Sequence, residues 1–132
     1  MAIPIARYTA LRERENILKQ DLLSMREAID RYKDLADHGQ IRVDALTGGY
    51  PPDLQTLVKG VPLVTITGAS AGSKTIVFLH RVPVDPMTGT TDWGLRSTED
   101  DPDSTTWGGQ NVFDVYSKST GMAINGTKYS DW

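Results

Sequence analysis

The chain opens with a long segment that has the hydrophobic period of an α-helix. No Gly or Pro occurs from Arg7 to Asp37, and His38-Gly39 follows as a stop signal. At 1.5 Å per residue such a helix is roughly 45–50 Å long. Apolar residues recur at intervals of three and four, which places them on one face. These residues are Leu18, Leu22, Met25, Ile29, Tyr32 and Ala36. The pattern predicts that the second half of the helix packs on the rest of the protein.

The first half of this helix has a weaker apolar pattern. Ile5, Tyr8 and Leu11 extend the stripe, but Glu15 stands where the next apolar residue is expected, and Arg12 lies beside it among further charges. Charged pairs at i,i+4 are common on solvated helices, so the charges alone indicate no function. This half is therefore interpreted as either solvated or packed against another chain.

Beyond the helix, the pattern changes to short segments separated by turns. Asp53 is placed to cap a short helix, Leu54–Lys59, that Gly60 ends. Two runs rich in β-branched residues, 61–67 and 75–80, flank a glycine- and serine-rich stretch. They predict a hairpin with its loop over residues 68–73.

Two further strand signals lie near the C-terminus. Residues 112–117 form one, and 122–124 and 127–129 flank Asn125-Gly126, a strong two-residue hairpin signal. The predicted fold class is α+β, with a long N-terminal helix on a small antiparallel sheet and a loop-rich C-terminal region. We expect residues 1–38 to form the helix and residues 39–132 the globular domain.

The amino-acid composition excludes several classes of function. The 132 residues have 39% hydrophobic content, enough for one modest core, and the formal net charge of −3 with no evident basic patch argues against nucleic acid as a partner. The absence of cysteine excludes disulfides, thiol catalysis and Cys-ligated zinc. No run approaches the ~20 apolar residues of a membrane span, and no signal peptide is evident. The chain as given is expected to be soluble.

The candidate chemical motifs are weak. The segment from Gly68 to Lys74 differs from a phosphate-binding loop, because three residues separate its glycines and Ser73 precedes the lysine. His38 and His80 have no metal or triad spacing. The acidic run 99–103 lacks the alternation of a calcium loop and is interpreted as solvated. No catalytic residue, cofactor site or enzymatic activity is predicted.

Three tryptophans lie in loop-like or terminal contexts. Trp93, Trp107 and Trp132 all stand among Gly and Asp residues. Because a small domain gains much buried area from each large ring, we expect them to hold irregular segments against the sheet rather than to stack on a ligand.

Several segments together resemble a known family. Ala2-Ile3-Pro4 followed by Tyr8 is similar to the point where the apolar N-terminal helix of type IV pilins and pseudopilins leaves the membrane. Further similar segments follow, and their order and spacing extend over almost the whole chain: 28–33, 50–58, 82–89, 92–94, 113–117 and 131–132. The whole resembles the major pseudopilin of type II secretion systems, within the type IV pilin-like superfamily.

This resemblance implies a structural function. Family members are made as membrane precursors with a Gly-Phe-Thr-Leu-x-Glu type start, cleaved by a prepilin peptidase and methylated. They stack with copies of themselves and with minor pseudopilins into a periplasmic filament on an inner-membrane secretion platform of Gram-negative bacteria. The apolar start is missing here, so the sequence is expected to be the soluble part, with Met1 in place of the upstream segment. The expected filament interface comprises Tyr8, Leu11, Arg12 and Glu15.

The family resemblance also implies a calcium site in the C-terminal loop, but this sequence departs from the pattern. Residues 117–121 contain no carboxylate, and Lys118 would repel a cation. Asp114 and Asp131 are the remaining candidate oxygen donors, too few for the six to eight oxygens that calcium takes. Calcium binding is therefore predicted to be lost or weak.

Two alternative functions stay open at this point. A minor type IV pilin would share the helix, although such proteins often carry paired cysteines near the C-terminus. A soluble coiled-coil adaptor would explain the charged helix without a membrane, but not the Pro-x-Asp-Pro and Trp-rich loops. The adaptor predicts a dimer with paired helices, whereas the pseudopilin predicts a mainly monomeric soluble part.

Overall fold

The computed structural model describes residues 4–64 and 70–132, and its first element is one long helix. Helix α1 spans Ile5–Asp37, directly after Pro4. It ends at His38, whose backbone N–H still donates to the Asp34 carbonyl, and Gly39 follows with a φ of 68°. The predicted continuous helix is confirmed. Its interior contains neither of the two residue types that break helices.

The apolar stripe of α1 lies against the rest of the chain, as predicted. Leu18, Leu22, Met25, Ile29 and Tyr32 are buried. The last member of the stripe, at position 36, is partly buried at the edge of the same core. The second half of the helix therefore forms one wall of the hydrophobic core.

The predicted short helix, α2, spans Leu54–Lys59. The Asp53 side chain caps it by accepting from the Thr56 backbone N–H at 2.7 Å. Gly60 ends it with a φ of 82°, and a Cβ at this position would lie 2.5 Å from the Ile76 carbonyl oxygen. Only glycine fits this close approach between the helix end and the following strand.

The first sheet is an antiparallel pair, as predicted, but its second strand lies earlier in the chain. Strand β1 spans Val61–Val64 and β2 spans Ser70–Ile76, with Val61 opposite Ile76. The predicted strand 75–80 is wrong beyond Ile76, because the backbone N–H groups of Phe78 and Leu79 donate to the Leu57 carbonyl at the end of α2. Residues 70–73 of the predicted loop belong to β2, and residues 65–69 lie outside the described part.

The second sheet is also a two-stranded antiparallel pair. Strand β3 spans Gly94–Arg96 and β4 spans Asp114–Tyr116, with Leu95 opposite Val115. The predicted strand 112–117 is therefore confirmed but shorter. The Val112 backbone N–H bonds instead to the Pro51 carbonyl.

The C-terminal hairpin, defined here as residues 121–132, is a tight turn with little strand structure. Gly126 has a φ of 85°, and the Asn125 side chain accepts from the Thr127 backbone N–H. A single bridge joins Met122 to Lys128, so the predicted strands 122–124 and 127–129 are wrong although the turn is confirmed. The chain enters a 3₁₀ turn at Tyr129–Asp131 directly after the bridge, which stops strand pairing.

The architecture is α+β, with a long helix packed on small antiparallel pairs. One buried cluster joins α1 to α2, to both sheets and to the C-terminal hairpin. None of the helices in the described ranges is long and apolar enough to cross a membrane.

Candidate functional site

The first part of α1 contributes no buried side chain to the core. We call residues 5–14 the N-terminal arm. None of these ten described side chains is buried, and the first buried position of the helix is Glu15. Ile5 is 86% exposed and Tyr8 36% exposed. The arm thus presents apolar groups that make no contribution to the core.

Three of the four predicted interface residues lie on this arm. Tyr8, Leu11 and Arg12 share one face, because they are three and four positions apart. Arg12 donates from Nη1 to the Tyr8 hydroxyl at 3.1 Å, which orients both side chains on the surface. Leu11 is half-buried, while the other two are exposed. The arrangement is a small amphipathic patch with one cation at its edge.

Glu15, the fourth predicted interface residue, faces its own chain. It is 7% exposed, and its carboxylate accepts from the Ile124 backbone N–H at 3.3 Å and from the Tyr129 hydroxyl at 3.1 Å. The expected exposure of Glu15 on the first half of the helix is therefore wrong. The apolar stripe continues through position 15, and the hairpin supplies the polar partners that a buried carboxylate requires.

The Glu15 contact also changes the chemistry of Tyr129. Burial, and then the hydrogen bond to Glu15 and its negative charge, together raise the pKa of Tyr129 to about 12. The neutral phenol is thus held as a donor to the carboxylate. In the sequence, the one indication of the contact between Glu15 and Tyr129 is that Glu15 occupies a position of the apolar stripe.

Asp114, a candidate calcium ligand, is already paired. Its Oδ1 accepts from Arg26 Nε at 2.8 Å and from the Val115 backbone N–H at 2.8 Å. Arg26 also donates from Nη2 to the carbonyls of Val115 at 3.0 Å and Trp132 at 2.7 Å. This arginine ties α1 to β4 and to the last residue of the hairpin.

Asp131, the other calcium candidate, is exposed and lies beside a groove. Among the described residues, no group of three or more His, Asp or Glu side chains is placed to hold a metal ion. Lys118 pairs with Asp92 at 3.0 Å. The structure therefore does not bring Asp114 and Asp131 together with a third side-chain ligand of these types.

A groove of about 750 Å³ lies between α1 and the C-terminal hairpin, and we call it the C-terminal groove. Its wall includes Trp132, which packs edge-on against Tyr129 with ring centroids 5.2 Å apart. The Trp132 indole N–H donates to Thr127 Oγ1 at 2.7 Å, and Lys19 Nζ lies 4.8 Å from the ring centroid. The residues that line the groove include Lys19, Leu23, Arg26, Met122, Lys128 and Trp132.

Trp93 holds its loop as predicted, whereas Trp107 is 36% exposed and does not bury its ring as predicted. The buried Trp93 indole N–H donates to the Pro83 carbonyl at 2.8 Å, and that of Trp107 donates to the Asn111 carbonyl at 2.7 Å. Each ring thus joins its own loop to a neighbouring segment through one directed bond.

Asp85 is a buried carboxylate whose importance was missed by sequence reasoning. It is fully buried and accepts from Ser117 Oγ at 2.5 Å and from the Met87 backbone N–H at 2.8 Å. Burial raises the pKa of Asp21 on α1, and the Asp85 charge raises it further. The Pro-x-Asp-Pro motif was the available signal, since an aspartate in a turn often bonds to the backbone two residues on.

The acidic run lies in the loop between β3 and β4, where hydrogen bonds of Asp100 hold it to neighbouring backbone. We call residues 99–103 the acidic loop. Asp100 accepts from the backbone N–H groups of Ser97 at 2.8 Å and Gly108 at 3.1 Å. The Ser97 bond is the main reason that the pKa of Asp100 is lowered. Asp101 and Asp103 remain exposed on the outside of this loop.

Comparison with known proteins found no match among family models, curated proteins or solved structures. The features that bear on function are therefore those of this chain itself. They comprise an α+β core, the N-terminal arm and the C-terminal groove.

Proposed function

We propose that this chain is the soluble part of a structural subunit of a periplasmic pseudopilus that supports protein export by a type II secretion system. The single observation that carries the proposal is the N-terminal arm, a continuation of the core helix that buries none of its side chains in its own domain. The resemblance of the surrounding segments to major pseudopilins gives the arm its context.

The geometry of the arm fits lateral packing between subunits. Ten helical residues extend about 15 Å, and Ile5 and Tyr8 offer apolar area that a neighbour would remove from water. Arg12 sits beside this area and would contribute to register more than to affinity. With Glu15 committed to its own hairpin, the proposed filament contact consists of Tyr8, Leu11 and Arg12.

The proposal includes the remaining properties of such a subunit. The full-length protein would be anchored in the inner membrane of a Gram-negative bacterium, face the periplasm and be processed by a prepilin peptidase. Its partners would be further copies of itself, minor pseudopilins and the inner-membrane platform. It would act without catalysis or cofactor. His38 would have a structural role in this subunit, because its ring N–H donates to the Asp34 carbonyl at 2.7 Å and so caps the end of α1.

A coiled-coil adaptor accounts less well for the same helix. The stripe from Leu18 onwards is occupied by the core, so only the ten residues of the arm are free to pair with another helix. This is about one and a half heptads, whereas a coiled coil needs apolar heptads sustained over about three to four. A filament avoids the difficulty because each arm contacts several neighbours. A minor pilin subunit remains the second candidate from the family resemblance.

The decisive experiment is charge reversal on the arm of the full-length protein. We expect Arg12→Glu to reduce filament assembly and export severalfold while leaving the melting temperature of the soluble domain unchanged. Lys74→Glu is the matched control, since Lys74 is an exposed cation on β2 away from the arm. Filament assembly by Arg12→Glu at the wild-type level would contradict the proposed interface, and a chain that forms no filament at all would contradict the proposed function.

A further inference from the structure

The C-terminal groove combines an exposed apolar floor with a cationic rim. Leu23 on α1 is 57% exposed and Met122 on the hairpin is 60% exposed, although both line the same groove. Exposed apolar side chains that converge in one concave surface indicate a contact site more strongly than the same side chains scattered over the surface. The groove is therefore a candidate docking surface.

The rim carries more positive than negative charge. Lys128 is exposed and forms no ion pair with any described residue, and Lys19 lies against the Trp132 ring without a carboxylate partner there. Arg26 is already held by Asp114, and Asp131 is the one acidic side chain among the described residues that line the groove. Two lysines therefore remain available to an acidic partner.

The same chain presents a surface with the opposite charge. The acidic loop has four carboxylates in five residues. Asp101 and Asp103 are exposed and form no ion pair within the described part of the chain. Trp107 follows the loop and is 36% exposed, so an aromatic edge accompanies the charges. This combination complements an apolar groove with a lysine rim.

We infer that the C-terminal groove receives the acidic loop of a second copy of this chain. The occupant is selected by local charge, because the exposed Asp101 and Asp103 carboxylates complement the lysines on the rim of the groove. The inference rests on the proposed function, since it names a second contact between neighbouring subunits. Because groove and loop are different surfaces, the contact is heterologous, and such contacts build open helical assemblies when they do not close into rings.

A single contact of this kind is weak in dilute solution. Exposed ion pairs contribute little individually and are screened by salt. In a filament the arms hold neighbouring copies together, which raises the effective concentration of loop and groove. We therefore expect a contact that orients subunits and is readily detected by cross-linking.

The absence of cysteine from the chain allows a clean cross-linking test. One tagged copy carries Lys128→Cys and a differently tagged copy carries Asp103→Cys, and the two are mixed under mild oxidation. We expect this pair to form a disulfide-linked heterodimer severalfold faster than the control pair of Lys59→Cys with Asp103→Cys. Lys59 is an exposed lysine at the end of α2 that does not line the groove.

Charge reversal then tests the stated attraction. With Lys19→Cys and Asp101→Cys as the reporter pair, we expect Lys128→Glu or Asp103→Lys alone to lower the rate of cross-linking severalfold. Both reversals together, one on each partner, restore it. Lys59→Glu serves as the matched charge control and leaves the rate unchanged. Unfolding curves of each variant verify that the domain is intact.

The outcomes separate this inference from the proposed function. Cross-linking at the control rate overturns the groove contact, and filaments that still form would leave the proposed function standing. If Lys128→Glu abolishes export while the cross-link stays at the control rate, the groove holds another protein and the inference is overturned. Specific cross-linking in a chain that builds no filament supports the contact and contradicts the proposed function.

Discussion

The two ends of helix α1 have the same backbone and opposite uses. Residues from Glu15 to Tyr32 supply seven buried side chains, whereas the N-terminal arm supplies none. Both parts lack Gly and Pro, so both satisfy their backbone hydrogen bonds within the helix. The difference lies only in which side chains meet other parts of the chain. Stability therefore resides in the second part, whereas the side chains of the first part remain on the surface.

The packed part also maintains the arm. A ten-residue helix by itself is marginal in water, because forming its first turn is costly. Here the arm continues a helix that the core already orders, with Leu18 fully buried four residues beyond Arg14. The packed part therefore provides the helix nucleus from which the exposed arm extends.

Removal of a buried stripe residue tests this comparison most severely. We expect Leu18→Ala to lower the free energy of unfolding by about 2–5 kcal/mol, since it removes transfer energy and leaves a cavity. Leu18 is 0% exposed. Ile5→Ala is the control in the arm, and its effect is expected to stay within about 0.5 kcal/mol. Urea unfolding measures both, and equal losses would show that the arm is also packed.

Glu15 is the first buried residue of α1 and marks the boundary between the two parts. Its replacement should have the next largest effect on the free energy of unfolding. We expect Glu15→Ala to cost about 1–3 kcal/mol, because the Ile124 backbone N–H and the Tyr129 hydroxyl lose a buried acceptor. Glu13→Ala changes an exposed glutamate two residues earlier and should be neutral. A neutral Glu15→Ala would place the boundary further along the helix.

The pKa of Tyr129 provides a second test of the contact between Glu15 and the C-terminal hairpin. Its folded pKa of about 12 lies above the ordinary 10.0, so its contribution to stability is complete below pH 10 and is lost as the pH rises towards 12. We expect Glu15→Gln to lower the folded pKa by removing the negative partner. Absorbance of the tyrosinate reports this shift when Tyr129 is compared with the Tyr129→Phe variant. An unchanged titration would contradict the Glu15 contact.

Titration of His38, directly after the packed end of α1, should have a smaller effect on stability. Its pKa is raised mainly by the bond to the Asp34 backbone carbonyl and then by the Asp34 carboxylate. The folded pKa exceeds the unfolded one, so the stabilisation is complete below pH 6.5 and is lost as the pH rises through the folded pKa. NMR titration should show a raised pKa that Asp34→Asn lowers in part. An identical titration in both proteins would show that the carboxylate has no influence.

Calcium should have the smallest effect. The C-terminal hairpin is held to α1 through Glu15 and Arg26, and Asp114 is paired with that arginine. Addition of about 1 mM calcium is therefore expected to leave the melting temperature unchanged, whereas a specific ligand stabilises the fold that binds it. Magnesium at the same concentration is the control. A rise of several degrees with calcium alone would contradict this expectation.

Local elements followed closely from local sequence. The α1 stripe, the Asp53 cap, the Gly60 end of α2 and the Asn125-Gly126 turn were all predictable, because each depends on residues within a few positions of one another. The extent of the strands was less predictable. Whether Phe78 continues β2 depends on the Leu57 carbonyl, which is distant in sequence.

The candidate site shows the same division. Tyr8, Leu11 and Arg12 were placed together correctly by helical spacing, since i,i+3 and i,i+4 positions share a face. Glu15 was assigned to the surface because a charge in an apolar stripe normally signals exposure. The partners that make its burial favourable are Ile124 and Tyr129, both more than a hundred residues later in the chain.

The sequence by itself determined one long helix with an apolar second half, a small antiparallel α+β domain and a free first half-helix. Helical period, capping residues and turn residues are local properties, and they suffice for this much. The tertiary structure decided that Glu15 is internal, that Asp114 pairs with Arg26 and that a groove forms beside Trp132. Each of these depends on groups brought together across the fold, and the electrostatics of a buried charge depend on those distant partners.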